Sequence, residues 1–358
     1  MNYSMKKHNG IISLWKFIYS IMIVCTHVGQ MTTSNAKYVF EAGSVGVEFF
    51  FIVSGYFLGK KALTYRTIQD DELGKETFDF IWKKIKTFFP WMLITYIFSV
   101  PAFYFVNHLH KFQIINSIWD ILFLKESGIK YYSVMGVTWY ISIMLIVMTF
   151  LYPLILKYRK NFVYIIAPLI VILVGGYVSH KYGNIGAPDT WDGFVYKSFW
   201  RGLFEISLGV IIYEFVEKIK SIDFTKFAKI LLTITEMIGF VSILLIVNIK
   251  DAHNKYDFIM ILIMAISISI SFSEKTYDLK IWNNKVIYFL EKLSLPVFLN
   301  QIWIILIVGK ALEKYGLNYY QYAIVCSISD ICISTIFMKM VPILKENSLK
   351  VRKCLIKQ

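Results

Sequence analysis

Two apolar runs near the start of the chain each hold ionisable residues that a membrane-length segment would bury. The first, ISLWKFIYSIMIVCTHV, contains Lys16 and His27; the second, SVGVEFFFIVSGYFLG, contains Glu48. A charge at the centre of such a segment costs about 2.5–3.5 kcal/mol on insertion scales, so it usually has a partner or a task. If the first run points outward and the second returns, His27 and Glu48 sit at comparable depth. A carboxylate beside an imidazole fixes its tautomer and raises its basicity, which suits a general base acting on a hydroxyl. The alternative is a histidine snorkelling at the interface and an isolated helix-end charge. Lys16 lies about 16 Å before His27 along a helix, at ~1.5 Å per residue. Its ammonium either snorkels to the inner headgroups or holds the phosphates of a cytoplasmic donor at the bottom of a cavity.

The chain is 358 residues long, 57% hydrophobic, with a net charge of +14. Its apolar residues gather in runs of about 17–24, which match a ~30 Å hydrocarbon core. The expected fold is all-α: a polytopic membrane protein with about ten transmembrane helices in a single bundle, at 11–29, 44–60, 88–106, 134–156, 162–179, 198–216, 229–249, 257–273, 290–309 and 319–341. Residues 1–343 would form the membrane domain and 344–358 a basic tail. The first run lacks a cleavage site and is followed by further spans, so it is not expected to be a cleavable signal. Of the 38 Lys and Arg, 26 fall on the side holding both termini and 10 on the other. That asymmetry puts both termini in the cytoplasm and accounts for the charge without nucleic acid. Cys25, Cys326, Cys332 and Cys354 form no CxxC and no metal-spaced cluster, and no disulfide is expected.

Two loops are more than connectors. FDFIWKKIKTFFPW places apolar residues near helical spacing, predicting an amphipathic cytoplasmic helix near 76–87, with Lys83, Lys84 and Lys86 toward headgroups or an anionic ligand. INSIWDILFL, within 107–133, is too short to span and is expected to be interfacial or re-entrant.

The spacing Lys16-x10-His27 followed by GVEFFFIVSGYFL resembles the acyltransferase-3 family of integral membrane acyltransferases, which typically has Arg-x10-His in the first span and GV(D/E)xFFxxSGF in the second. FIWKKIKTFFPW is similar to the family's RR-x-x-R-I-x-P segment, TWYISIMLIVMTFLYPLI to its aromatic fourth span, and SLPVFLNQ to its SxxxYLxH stretch. The likeness covers most of the chain and is weakest from about 160 to 285. Lys16 stands in place of Arg, which keeps the charge but loses the bidentate fork that suits phosphate. Asn300 is taken as standing where many members have His.

The resemblance implies transfer of an acyl group, usually acetyl, from cytoplasmic acyl-CoA to a hydroxyl of an extracytoplasmic or lipid-linked glycan. On that reading His27 is the base and Glu48 orients its ring, with a covalent acyl intermediate on a serine or on His27 left open. Lys16, Lys83, Lys84 and Lys86 would anchor the donor nucleotide. Trp139 and Tyr140 would stack on a sugar. Arg201 and Glu205, four apart on one helix face, either pair structurally or contact substrate; Asn300, Glu236 and Asp330 either satisfy one another across the bundle or line the cavity. No cofactor is expected to be permanently bound; acetyl-CoA is a donor substrate. The Lys-, Ile- and Asn-rich composition suggests an AT-rich bacterial genome, the plasma membrane as location, and capsule or exopolysaccharide as acceptor. The alternatives are a polysaccharide export component, for which inverted repeats would speak, and a non-catalytic membrane partner.

Overall fold

A computed structural model describes residues 9–32, 38–249, 253–277, 282 and 284–355, as backbone only at 249 and 343–355. The described chain is almost wholly helical: α1 (Gly10–Thr32), α2 (Gly46–Leu63), α3 (Asp70–Asn107), α4 (Lys111–Asn116), α5 (Trp139–Asn161), α6 (Ala167–Tyr182), α7 (Lys197–Lys220), α8 (Lys226–Ile249), α9 (Tyr256–Phe272), α10 (Lys285–Leu312) and α11 (Tyr319–Leu355). A two-residue antiparallel pairing, Trp191–Asp192 with Val195–Tyr196, is the only sheet among the described residues. Among the described residues, six helical stretches are long and apolar enough to cross a membrane, one of them the α5–α6 pair taken together. The expected spans in α2, α7 and α9 also fall on helices, but these are shorter or carry charges.

The outer surface carries large apolar side chains, with Leu173 66%, Phe105 74% and Phe227 76% exposed. The interior holds Glu48, Arg201, Glu205, Glu236, Asn300 and Asp330, all essentially buried. That inversion of a water-soluble pattern is what a bilayer solvent selects, because lipid tails accept apolar surface and charges must be met inside the protein. These are the features of a multi-pass membrane protein.

Local signals start and stop the helices. Asn9 accepts from the Ile12 amide at 3.1 Å to cap α1, and Asn284 accepts from the Val286 and Ile287 amides at 2.8 and 3.0 Å to cap α10. Asp70, Asp71 and Glu72 occupy the first turn of α3, where the helix dipole favours carboxylates. At the other end of α2, the Arg159 guanidinium donates to the carbonyls of Ala62, Leu63 and Tyr65 at 3.3, 2.9 and 3.1 Å. These are carbonyls that a helix end leaves without partners.

The amphipathic segment expected near 76–87 is not a separate helix. It is the first half of α3, which runs through Pro90 into the following span. Glu76 holds it to its neighbours, accepting from Tyr65 at 2.9 Å and Tyr152 at 2.8 Å. The boundary placed at 343 likewise falls inside α11.

The backbones of α2 and α7 approach each other closely. A Cβ built on Gly55 would strike the Ile206 carbonyl, and one on Gly209 would strike the Ile52 carbonyl. Only glycine permits that separation, so the two helices are fixed against each other at mid-length.

Candidate functional site

One end of the candidate site lies where α1 meets α10. His27, half-buried in the last third of α1, bonds through Nδ1 to Gln301 Oε1 at 2.8 Å. Gln301 donates its amide to the Phe298 carbonyl at 2.7 Å, one turn back on α10. A backbone carbonyl accepts only, so that contact fixes which end of the Gln301 amide faces His27. The His27 Nδ1 must then carry the proton, and Nε2 is left with its lone pair. A neutral imidazole held in one tautomer is the form a general base takes before it acts.

Gln301 is the residue the sequence reading missed. Counted from Ser294, the SxxxYLxH pattern ends its histidine position on Gln301 and not on Asn300, so the expectation for Asn300 was displaced by one residue. Asn300 is fully buried in a bridge between three helices. Its Oδ1 accepts from Thr95 at 2.9 Å and from the Trp303 indole at 3.2 Å, while its amide donates to Ser334 at 3.2 Å. Ser334 donates in turn to Asp330 at 3.0 Å.

Glu48 does not sit on His27. It forms a buried ion pair with Arg201 across the α2–α7 interface. Arg201 therefore reaches across to α2 instead of pairing along its own helix with Glu205, and its guanidinium also lies 5.0 Å over the Trp139 ring. Tyr140 turns the other way and exchanges a hydrogen bond with Ser54 at 3.0 Å. So α2 brings Glu48 and Ser54 to one interior zone, α7 brings Arg201 and Glu205, and α5 brings the aromatic pair.

This zone is not fully satisfied. Glu48 Oε2 and Arg201 Nε are buried with no hydrogen-bond partner, while Glu205 lies against Glu48 and Ser198 against Glu126. A native interior leaves few such atoms. The loop after α4 adds Glu126, whose carboxyl is hydrogen-bonded with Ser198 and lies near Arg201. Burial pushes its carboxyl up to about 7, and its backbone is held in the left-handed region at φ 59°. The loop is anchored by Asp120, which accepts from Tyr131, Ser133 and the Val134 amide at 2.8–2.9 Å and from the Met135 amide at 3.2 Å. Nothing in the loop's sequence singled out Glu126, since a lone glutamate between lysine and serine is ordinary loop composition.

At the opposite end of α1, Lys16 pairs with Glu291 of α10 at 2.9 Å. It lines a cavity of about 600 Å³ together with Lys60, Lys220, Tyr56, Trp282 and Glu274. Three cations from three helices thus face one space. Lys83, Lys84 and Lys86 lie outside it: Lys83 and Lys86 are exposed, Lys86 lies 5.3 Å from the Trp82 ring, and Lys84 is half-buried 5.5 Å from Phe80. Lys84 is near enough to Lys16 for their charges to interact. The cavity cations supplied by α2 and α7 were not among the residues expected from sequence, because lysines are enriched near the cytoplasmic ends of membrane helices in general.

No curated protein and no solved structure matches the chain. A family model described as an acyltransferase domain matches residues 9–339, which spans both the cation-lined cavity and the His27–Gln301 contact. The chain belongs to the acyltransferase-3 family.

Proposed function

We propose that this membrane acyltransferase moves an acyl group, acetyl in the first instance, from cytoplasmic acyl-CoA to a hydroxyl of an extracytoplasmic or lipid-linked glycan. The reading takes ten crossings with both termini inside, in the bacterial plasma membrane, as the lysine and arginine asymmetry favours. One observation carries it: α1 presents Lys16 to a three-lysine cavity at one end and a tautomer-fixed His27 near the other. A CoA donor is anionic at its nucleotide end and uncharged along its pantetheine arm. The nucleotide would rest against Lys16, Lys60 and Lys220, with Lys84 adding charge nearby. The arm would carry the thioester along α1 for about 16 Å.

In this scheme the acceptor hydroxyl gives its proton to His27 Nε2 and attacks the thioester carbonyl. The C–S bond breaks and CoA leaves as the thiol, taking that proton. Gln301 holds the imidazole, the part first expected of Glu48. The unsatisfied groups around Arg201 would meet the acceptor's hydroxyls, and Trp139 would cover a sugar face.

The test is transfer from radiolabelled acetyl-CoA by the protein in lipid nanodiscs, given membrane glycan as acceptor. Label is expected in alkali-labile ester and lost in His27→Ala, with insertion unchanged. Ester formation at the wild-type rate in that variant would remove His27 from the reaction. Surface glycan missing from a deletion strain, with its ester content unaltered, would favour an export role.

A further inference from the structure

A second constellation of reactive side chains lies where α2 begins, and the reaction above does not use it. Ser44 stands in the single 3-10 turn Gly43–Val45 that leads into α2. Its Oγ is 2.5 Å from His253 Nε2. His253 Nδ1 is 3.0 Å from Asp257 Oδ2, four residues on at the start of α9. The order hydroxyl, imidazole, carboxylate is complete, with each step at hydrogen-bond distance.

The roles are fixed by their surroundings. Asp257 is 1% exposed, and its Oδ2 also accepts from the Ile185 amide at 3.1 Å. It therefore acts as an acceptor toward His253, which puts the proton on Nδ1 and leaves Nε2 to accept from the Ser44 hydroxyl. The 184–186 turn that supplies the amide is itself held by Lys197, whose ammonium donates to the Gly186 carbonyl at 2.5 Å and Asn184 Oδ1 at 3.2 Å. Gly186 backs onto the imidazole: a Cβ there would lie 2.9 Å from three ring-side atoms of His253. A glycine, a buried lysine and a buried aspartate from three different segments converge on one ring orientation. His253 and Ser44 both retain partial exposure, so water and a small ester can reach them.

A serine hydrogen-bonded to a histidine that a buried carboxylate orients is the geometry of an activated nucleophile, recognised by roles and not by chain order. We propose that Ser44, His253 and Asp257 form a second catalytic centre, an esterase that cleaves short acyl esters of hydroxyl compounds through an acyl-Ser44 intermediate. In the first step Ser44 Oγ bonds to the ester carbonyl carbon and gives its proton to His253. The bond from that carbon to the alcohol oxygen breaks, and the alcohol leaves with the proton from His253. In the second step water gives a proton to His253 and attacks the acyl-serine. The Oγ–carbon bond breaks, Ser44 recovers its proton, and the carboxylic acid departs. The balance is ester plus water to acid plus alcohol, with no other reactant.

The test uses the full chain in detergent with no acyl-CoA present, so it is independent of the transferase reading. A fluorophosphonate probe is added and its site mapped by peptide mass spectrometry; hydrolysis of p-nitrophenyl acetate is followed in parallel. Covalent labelling at Ser44 is expected, and Ser44→Ala and His253→Asn should each lower hydrolysis by about 100-fold or more. Wild-type protein that is folded yet unlabelled at Ser44 would overturn the proposal. So would hydrolysis in Ser44→Ala at the wild-type rate.

Discussion

Glu48 and Arg201 form an ion pair sealed between α2 and α7, with side chains 0% and 2% exposed. Removing one member leaves the other as an uncompensated charge in the interior, which typically costs ~3–5 kcal/mol. Glu48→Ala and Arg201→Ala should therefore each lower the midpoint of thermal unfolding in detergent markedly. The double variant should be closer to wild type than the sum of the two singles. Additive losses would mean that the two groups do not depend on each other.

Gln301 is expected to act on rate and not on folding. Gln301→Leu removes the acceptor for the His27 Nδ1 proton, so the tautomer with a free Nε2 is no longer enforced. A fall in kcat of up to ~10²-fold is expected, with the unfolding midpoint little changed. Gln301→Glu keeps an acceptor at that place and should recover part of the loss. Equal activity in the Leu and Glu variants would show that ring orientation is set elsewhere.

Glu126 predicts a pH effect on the loop that carries it. Its carboxyl sits at about 7 in the folded protein, above the ordinary carboxylate range, because burial disfavours the charged form. The folded loop thus binds a proton that the opened loop releases. Its stability is complete below pH ~4.5 and is lost as pH rises through about 7. Hydrogen exchange of residues 118–135, corrected for intrinsic rate, should be slower at pH 5.5 than at pH 8. Glu126→Gln should flatten that dependence; an unchanged slope would place the titrating group elsewhere.

The cation-lined cavity makes a prediction about donor affinity. Lys60→Ala with Lys220→Ala should raise the KM for acyl-CoA while leaving kcat close to wild type, since these residues would contact only the unreacting nucleotide. The KM of the wild type should also rise with salt, and the double variant's should rise less. A KM that ignores both changes would move the nucleotide away from this cavity.

Two glycines are expected to respond in opposite directions. Gly209→Ala drives a methyl into the Ile52 carbonyl and should lower the yield of folded protein sharply. Gly74→Ala, in the exposed first turns of α3 with nothing within 4 Å, should be neutral or stabilising by about 0.5–1 kcal/mol. Thermal unfolding of both variants checks the contrast.

The parts legible in the sequence were those written in local chemistry. Each expected span falls largely on a helix, because hydropathy reports directly on the solvent around each segment. Lys16 and His27 lie toward opposite ends of α1 because spacing within one helix converts to distance. Partnerships across helices were not legible. Glu48 was assigned to the nearest imidazole in sequence and instead met Arg201, more than a hundred residues away. Gln301 drew no notice because an amide in an apolar run carries no charge to raise an alarm, and a one-residue slip moved attention to Asn300. Ser44 and His253 are separated by 209 positions and only the fold brings them together. The amphipathic piece expected before Pro90 is the start of a longer helix that continues through the proline.

The contact of Gly55 and Gly209 with the facing backbone has a bearing on what can traverse the molecule. Main chains that touch leave no seam for a solute, and side chains too small to swing aside cannot open one. Parting α2 from α7 would break this main-chain contact, so a passage between the faces is to be sought beside the pair and not through it.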